Sequence, residues 1–280
     1  MERNENERRA GRRKAPLPVT TSEQAWALRL FDRSILKQAK YRAIVGLLGD
    51  TQGKDCLDLG SDNGVISYLL RGGGGRWTSA DLTEESVASI RSLVGSDVYR
   101  IEAERMPFAD AAFDRVVVVD LLEHVADDAR CMAELHRILR PGGELLVNTP
   151  HAKRWSLMRP LRNLLGLTDA WHGHVRPGYT SETLAELMGA HFQPDRVLTY
   201  SKAFSEALDV ALNFAFQRSR QLGGEDRSKG TVVTAADLEK RARQFRALGR
   251  VYPLLKLWAK LDLFCVGTQG YYLVVRAQKL

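Results

Sequence analysis

Between residues 55 and 148 short apolar runs alternate with runs of helical spacing, and this alternation constrains the chain more than any other feature. Asp55 to Leu59 is short, apolar and stopped by a glycine, and Val65 to Leu70 continues as a helix, so the first unit reads strand, tight turn, helix. The pattern repeats with Trp77 to Ala80 as strand, Glu84 to Val94 as helix and Asp97 to Ile101 as strand. Glu84 and Glu85 suit the positive end of that helix dipole. Phe113 to Val119 is a β-branched run of the kind buried on both faces of a parallel sheet. Ala126 to Leu139 has helical spacing and stops at Arg140-Pro141-Gly142-Gly143, where proline cannot continue a helix and glycine turns the chain; Leu145 to Asn148 is the fifth strand. Such alternation builds an α/β fold, a Rossmann-like doubly wound sheet with right-handed crossovers, whose ligands bind beyond the carboxyl ends of the strands. The strand-end residues Asp58 to Gly60, Asp81, Glu102, Asp120 and Asn148 are therefore expected to ring one crevice.

The flanks complete the sheet. Trp26, Leu30, Ile35, Tyr41, Ile44, Val45 and Leu48 recur at approximately helical spacing, which predicts one or two helices leading into it. Thr180 to Met188 reads as a helix, Asp195 to Tyr200 as a sixth strand and Tyr271 to Arg276 as a seventh. Between the last two, Lys202 to Arg220 and Ala235 to Leu263 look helical, with Gly223-Gly224 and a charged loop between them. The expected organisation is a flexible basic arm at 1–21, N-terminal helices at 22–53, the core at 54–201 and 264–280, and a helical insertion at 202–263 before the last strand of a seven-stranded sheet.

At 280 residues the chain can bury a sizeable core, and its 44% hydrophobic and 27% charged residues exclude a disordered or fibrous protein. Cys56, Cys131 and Cys265 are widely spaced in apolar stretches, so neither a disulfide framework nor a metal-ligand spacing is visible. No secretory signal and no apolar run long enough to span a bilayer is read, which makes the expected location cytoplasmic, with peripheral contact at the inner face of a membrane. The net charge of +7 would suit nucleic acid, anionic lipid or an acidic substrate, but part of it is concentrated in Arg8, Arg9, Arg12, Arg13 and Lys14.

The turn after the first strand, Asp58-Leu59-Gly60-Ser61-Asp62-Asn63-Gly64, needs small residues because the backbone bends sharply and approaches a ligand closely; Gly60 and Gly64 meet that need. Asp81 lies about 20 residues further on, where an acid at the end of the second strand can accept both hydroxyls of a ribose. With Glu102-Ala103-Glu104-Arg105-Met106-Pro107-Phe108, then Phe113-Asp114 to Asp120-Leu121-Leu122-Glu123-His124-Val125, and finally Leu139-Arg140-Pro141-Gly142-Gly143, the set stands in order along the chain. Over about Lys54 to Phe192 it resembles the class I S-adenosylmethionine-dependent methyltransferases, in particular the small-molecule and lipid group (methyltransferase type 11/12) that includes the ubiquinone-pathway enzymes.

The resemblance implies S-adenosylmethionine as cofactor. The first turn, from Asp58 through Gly60 and Asp62 to Gly64, would hold its methionine part, and Asp81 with the adjoining Leu82 its ribose. Glu102 would face the adenine amine and Ala103 the ring, while Asp120 would lie near the ammonium and Leu121 pack below. Carboxylates suit a donor carrying hydroxyls, an ammonium and a sulfonium, whereas a pyrophosphate would prefer bare backbone amides and a helix N-terminus. One departure is Asp62, where the family usually has a glycine. In ubiquinone-type relatives an acid-x-x-Glu-His run can bind a metal, and Asp120, Glu123 and His124 fit that spacing; Glu-His-Val is also widespread in members without one, and no metal is expected here.

Methyl transfer from a sulfonium is an in-line displacement, which leaves an enzyme to orient, exclude water and, for an acidic acceptor, remove a proton. The candidate bases are His124, His151 and His174. His172, Arg176 and Tyr179, in the segment Trp171-His172-Gly173-His174-Val175-Arg176-Pro177-Gly178-Tyr179, are the candidate acceptor contacts, with a role in pinning their own loop as the alternative. In the insertion Phe204, Leu208, Leu212 and Phe216 share one helical stripe, and Val251, Leu254, Leu255, Leu257, Trp258 and Leu261 are dense beside Lys256 and Lys260. Such helices either cap the site or lie in a membrane interface. The expected partner is a small-molecule or lipid acceptor. A nucleic-acid methyltransferase is disfavoured because Asp120-Leu121-Leu122 is not the Asn/Asp-Pro-Pro-aromatic signature of base-amine methylators and no Pro-Cys nucleophile is present. A noncatalytic binding protein on the same fold is the third reading.

Overall fold

The computed structural model describes residues 22–153, 156, 158–222 and 242–280; the basic arm at 1–21 and the middle of the insertion lie outside the described residues. Helices α1 (Ser22–Asp32) and α2 (Ile35–Leu48) precede β1 (Asp55–Leu59), α3 (Val65–Arg71), β2 (Arg76–Asp81), α4 (Glu84–Val94), β3 (Val98–Arg100) and β4 (Phe113–Val119). Then follow α5 (Asp128–Ile138), β5 (Leu139–Pro150), α6 (Met158–Leu164), α7 (Ser181–Met188), β6 (Phe192–Tyr200), α8 (Ala203–Leu222), α9 (Ala242–Lys260) and β7 (Tyr272–Lys279).

The strands form one seven-stranded sheet in the order β3-β2-β1-β4-β5-β7-β6. β3, β2, β1, β4 and β5 run parallel, whereas β7 is antiparallel to both β5 and β6. The parallel arrangement ends at β5: the crossover through α7 leaves a gap beside β5, and β7 fills it from the opposite direction.

β4 shows why the sheet is covered on both sides. Side chains alternate between faces of a strand, so Val116 and Val118 join Leu57, Leu59, Leu145 and Val147 in one core against Met132, Leu135 and Ile138 of α5 and Leu184 and Met188 of α7. Val117 and Val119 join Cys56, Leu146 and Val274 in the other, against Ala43, Ile44 and Leu48 of α2 and Val65 and Ile66 of α3. Each such side chain contributes roughly 1.5–3 kcal/mol on burial.

The helices start at capping side chains. Thr83 accepts from Ser86 N before α4, Asp127 from Arg130 N before α5, and Thr180 with Thr183 forms a capping box before α7. α5 ends just before Arg140 to Gly143 as expected, and β5 starts earlier than expected and includes them; pairing with β4 shifts there between Phe113 opposite Leu139 and Arg115 opposite Glu144. Arg140 holds this irregularity by hydrogen bonds to Asp114 (2.6 Å) and Asp55 (2.9 Å).

The described parts of the insertion between β6 and β7 are helical, residues 235–241 of the second expected helix lying outside the described residues, and a 3-10 turn, Leu261–Phe264, extends it one residue past the expected end. The Asp262 carboxylate accepts from the amides of Lys202 (2.8 Å), Phe204 (2.9 Å) and Ser205 (3.3 Å), tying the end of α9 to the start of α8. Leu208 and Val210 of α8 are buried, the latter against Leu167 and Trp171.

Candidate active site

The turn after β1 takes the left-handed conformation at three of its residues, Gly60 (φ +81°), Asp62 (φ +52°) and Gly64 (φ +77°). The two glycines have different reasons. A Cβ on Gly60 would lie 2.4 Å from the Val119 carbonyl oxygen and 3.0 Å from Leu121 Cβ, so glycine is required for the turn to pass over the end of β4. A Cβ on Gly64 would lie 2.7 Å from Ile90 Cα, so this glycine serves the packing of α3 on α4. Asp62 is exposed, and a short polar side chain tolerates left-handed geometry better than most.

Asp58 was expected to belong to the cofactor contacts through this turn, and its side chain is not presented to the crevice. It is fully buried beneath the turn, accepts from the hydroxyls of Ser61 (2.9 Å), Ser79 (2.8 Å) and Ser67, and lies 3.6 Å from Arg71. Burial raises its pKa, against the opposing pull of Arg71 and the three hydroxyls. Asp58 is thus a brace that shapes the turn from below.

Asp81 ends β2, with Oδ1 accepting from Leu82 N (2.7 Å) and Oδ2 from Asp62 N (3.3 Å), an arrangement that couples the second strand end to the first turn. Its burial raises the carboxyl pKa, and the two amides oppose that shift. Leu82 is half-buried against the main core, Ala103 and Leu121 are buried in that core, and Glu102 is exposed beside them, its carbonyl accepting from the Arg105 amide (3.1 Å).

At the end of β4, Asp120 also has a left-handed backbone (φ +47°) and its amide donates to Asn148 O (2.9 Å). Asn148 Nδ2 donates to Asp120 Oδ1 (2.6 Å), and Tyr200 Oη donates to Asn148 Oδ1 (2.7 Å). The other carboxylate oxygen of Asp120 is held by Lys40 of α2, whose ammonium also sits 5.2 Å above the Tyr272 ring. Burial works against the lysine's charge, but Asp120, Glu123 and Asp62 outweigh it and its pKa is raised.

Sequence reasoning missed Lys40. It precedes the buried Ala43 and Ile44 by three and four positions, so it lies on the core face of α2, and a cation at that position was the available signal. Tyr200 and Tyr272, stacked at 5.3 Å, were read only as strand residues.

The histidines separate. His124, in the 3-10 turn Leu122–His124, pairs through Nδ1 with Gly173 O (2.9 Å), and its ring meets His174 edge-on at 4.8 Å; His174 in turn stacks on His172 at 5.2 Å. Glu123, His124 and His174 each bring a ligand atom within 4.8 Å of the others, so these three could hold a divalent cation. That grouping takes in His174 and leaves out Asp120 of the acid-x-x-Glu-His spacing. Glu123 is fully buried, with Oε2 accepting from Thr149 (3.3 Å); burial first, and the Asp120 charge second, push its pKa well above the ordinary glutamate range.

His151 is buried apart from that cluster, paired through Nδ1 with Gly270 O (2.9 Å), and lines a cavity of about 30 Å3 with Lys153, Arg162, Glu206 and Tyr271, to which the 171–179 segment contributes Pro177. For Arg176 and Tyr179 the contacts match the alternative reading, pinning of their own loop. Arg176 pairs with Asp128 (2.7 Å) and donates to Leu122 O (3.1 Å) and Ala126 O (2.9 Å), while Tyr179 is buried and donates to the same Asp128 (2.7 Å). Their polar groups are consumed in fixing the 171–179 loop to the turn that carries His124.

Residues 57–147 match the family model for a methyltransferase domain. The ubiquinone biosynthesis O-methyltransferase of Pseudomonas paraeruginosa is 34% identical over 187 residues, covering 60% of this chain and 79% of that protein. The solved structure of a SAM-dependent methyltransferase from Thermotoga maritima superposes with a TM-score of 0.54 at 16% identity, covering 91% of this chain and 95% of that one. The [4+2]-cyclase SpnF also reaches 0.54, at 20% identity, covering 94% and 84%; at these identities the likeness is one of fold. Relatedness over most of the Pseudomonas enzyme, joined to the domain match and this sheet order, makes the chain a member of the class I S-adenosylmethionine-dependent methyltransferases, with S-adenosylmethionine as its methyl donor.

Proposed function

We propose that this chain methylates an oxygen, nitrogen or carbon of a small lipophilic acceptor by in-line displacement. The observation that carries the reading is the side-by-side placement of Lys40 and Asp120 at the end of β4, one strand from Asp81 at the end of β2 by way of β1. An amino-acid zwitterion needs a cation and an anion next to each other, and a ribose needs an acceptor for two hydroxyls. Asp120 would take the ammonium, Lys40 the carboxylate and Asp81 the ribose, with Glu102 and Ala103 toward the adenine and Leu82 and Leu121 packing beside it. Gly60 lets the turn pass this close to the end of β4, where a Cβ would meet the Val119 carbonyl oxygen, and so keeps the turn beside Asp120. The residues present therefore fit the donor, which when bound supplies an electrophilic methyl group.

What the chain's own groups add is position and a base. With Nδ1–H donated to Gly173 O, the other ring nitrogen of His124 is the one able to accept a proton from an acceptor hydroxyl or amine. The ring is held in place from the far side by His174. His151 makes the equivalent Nδ1 pairing with Gly270 O, but it is buried at a separate cavity away from the His124 and His174 rings, which makes it the weakest of the three candidates.

The lipophilic acceptor is supported by the Pseudomonas relative, named for ubiquinone biosynthesis, and by the apolar helices placed before β7. Incubating the chain with methyl-labelled donor and a lipid extract, then a polar extract and RNA, tests it directly. Label in an organic-soluble product is expected; label confined to nucleic acid or polar metabolites overturns it. Absence of any binding heat at millimolar donor in titration calorimetry would leave only the noncatalytic reading.

A further inference from the structure

The insertion turns one apolar edge outward. Along the described part of α9, Val251, Leu254, Leu257 and Trp258 are exposed, and past the helix Leu263, Phe264 and Val266 stand 77%, 81% and 84% exposed. At 100° per residue the helical four occupy one face. The 3-10 turn and Gly267 (φ +75°) fold the chain back there, so the last three side chains form a projecting tip. The edge is held firmly from behind: Trp258 Nε1 donates to Phe204 O (3.0 Å), its ring meets Phe204 edge-on at 5.3 Å, and Asp262 is bound to three amides of α8.

Cations flank this edge. A groove of about 490 Å3 runs between α2 and α9, lined among others by Arg42, Lys202, Lys256 and Lys260, with Tyr200 at its inner end. Among the described residues Arg42, Lys256 and Lys260 enter no ion pair. The carboxylate in the groove, Asp262, is consumed in capping α8.

We propose that this tip and the outer face of α9 dock on an anionic bilayer surface, with Leu263, Phe264 and Val266 entering the acyl region and Lys256 and Lys260 at the headgroups. Charge complementarity selects this occupant. A second copy would bring the same lysines against each other on a chain of net charge +7. A projecting apolar tip requires a matching hollow from a protein, whereas fluid lipid closes around it. Among the described residues no helix is long and apolar enough to cross a membrane, so the contact is with a surface. Docked in this way, the groove opens at the lipid boundary and its inner residue Tyr200 is hydrogen-bonded to Asn148 at the candidate site. The docking itself does not depend on the identity of the acceptor.

The test is flotation of the full chain with vesicles of phosphatidylcholine, alone or mixed equally with phosphatidylglycerol, at low salt. Binding to the mixed vesicles and little to phosphatidylcholine alone is expected. Leu263→Ser, Phe264→Ser and Val266→Ser together should weaken it by about tenfold or more, because the apolar contact is lost. Lys256→Glu with Lys260→Glu should do the same on mixed vesicles by removing the headgroup attraction. Melting temperatures should stay within about 2 °C of the parent for both, since the replaced side chains are exposed. Absence of flotation overturns the proposal. So does flotation that both variants retain and that only neutralising Arg8, Arg9, Arg12, Arg13 and Lys14 abolishes. Sedimentation velocity in which the tip variant splits a dimer, with no vesicle binding by the parent, would assign the face to self-association instead.

Discussion

The ligand edge of the sheet is built in two ways. On the side of β1 and β2 the site is made by the backbone: left-handed turns at Gly60 and Asp62, and the Asp58 and Asp81 carboxylates fixed by hydroxyls and amides of the turn and its neighbouring strand. On the side of β5 and β7 it is made by long side chains meeting across the chain, such as Lys153 with Glu206 (2.8 Å), Arg176 with Asp128 (2.7 Å) and His124 with Gly173 (2.9 Å). The first side keeps its shape through local geometry common to many ligands, and the second can be rebuilt to suit a different acceptor. A fold shared at TM-score 0.54 by a methyltransferase and a [4+2]-cyclase fits that division.

Asp58→Ala should show the largest effect on the backbone-built side. It leaves Arg71 and three hydroxyls without their buried partner, and a loss of about 3–5 kcal/mol in urea unfolding is expected. Unchanged stability together with lost donor binding would instead make Asp58 a ligand contact. Gly60→Ala comes next, at roughly 2–4 kcal/mol, because alanine pays for the left-handed backbone and its Cβ meets Val119 O. A variant that folds and binds donor like the parent would show that this turn is not the rigid element.

Lys40→Met should leave the fold in place and raise the donor dissociation constant about tenfold in calorimetry, the ratio expected for one charge-assisted contact. Tighter binding would mean that the lysine competes for Asp120. The smallest effect expected is at Glu123, where the two sides meet. Its raised carboxyl pKa means that the folded chain keeps a proton the unfolded chain has released, so stability falls as pH rises from the ordinary glutamate range to the folded value. Glu123→Gln removes that fall. Its advantage should be absent near about pH 4 and reach about 1 kcal/mol or more near pH 8 by thermal unfolding. An advantage that does not change with pH would show that Glu123 stays ionised in the fold.

What could be read from the chain follows the same division. The bounds of β1, α4 and β4 came directly from apolar runs and their breakers, because these elements are set by residues within one turn or strand of each other. The order of the motifs likewise pointed to the strand-end carboxylates. Arg140 to Gly143 ended the helix as read, but that β5 begins already at Leu139 was not legible, because the pairing of Arg140 with Asp55 and Asp114 is visible only once β1 and β4 are adjacent. Sequence reading left open whether Arg176 and Tyr179 meet an acceptor or pin their own loop, because Asp128, which binds both, lies about fifty residues away in the chain.

The sequence by itself determined the doubly wound core, the family and the sharp turn after β1, since alternating apolar periods and glycine positions act locally on the backbone. Only the tertiary structure decided that Asp58 braces that turn while Asp81 and Asp120 border the crevice, that Lys40 reaches Asp120, and that α9 leaves an apolar edge uncovered among the described residues. Which side of a strand end a carboxylate takes, and which long side chain meets it, depends on neighbours brought together by sheet order, and spacing along the chain carries no record of that.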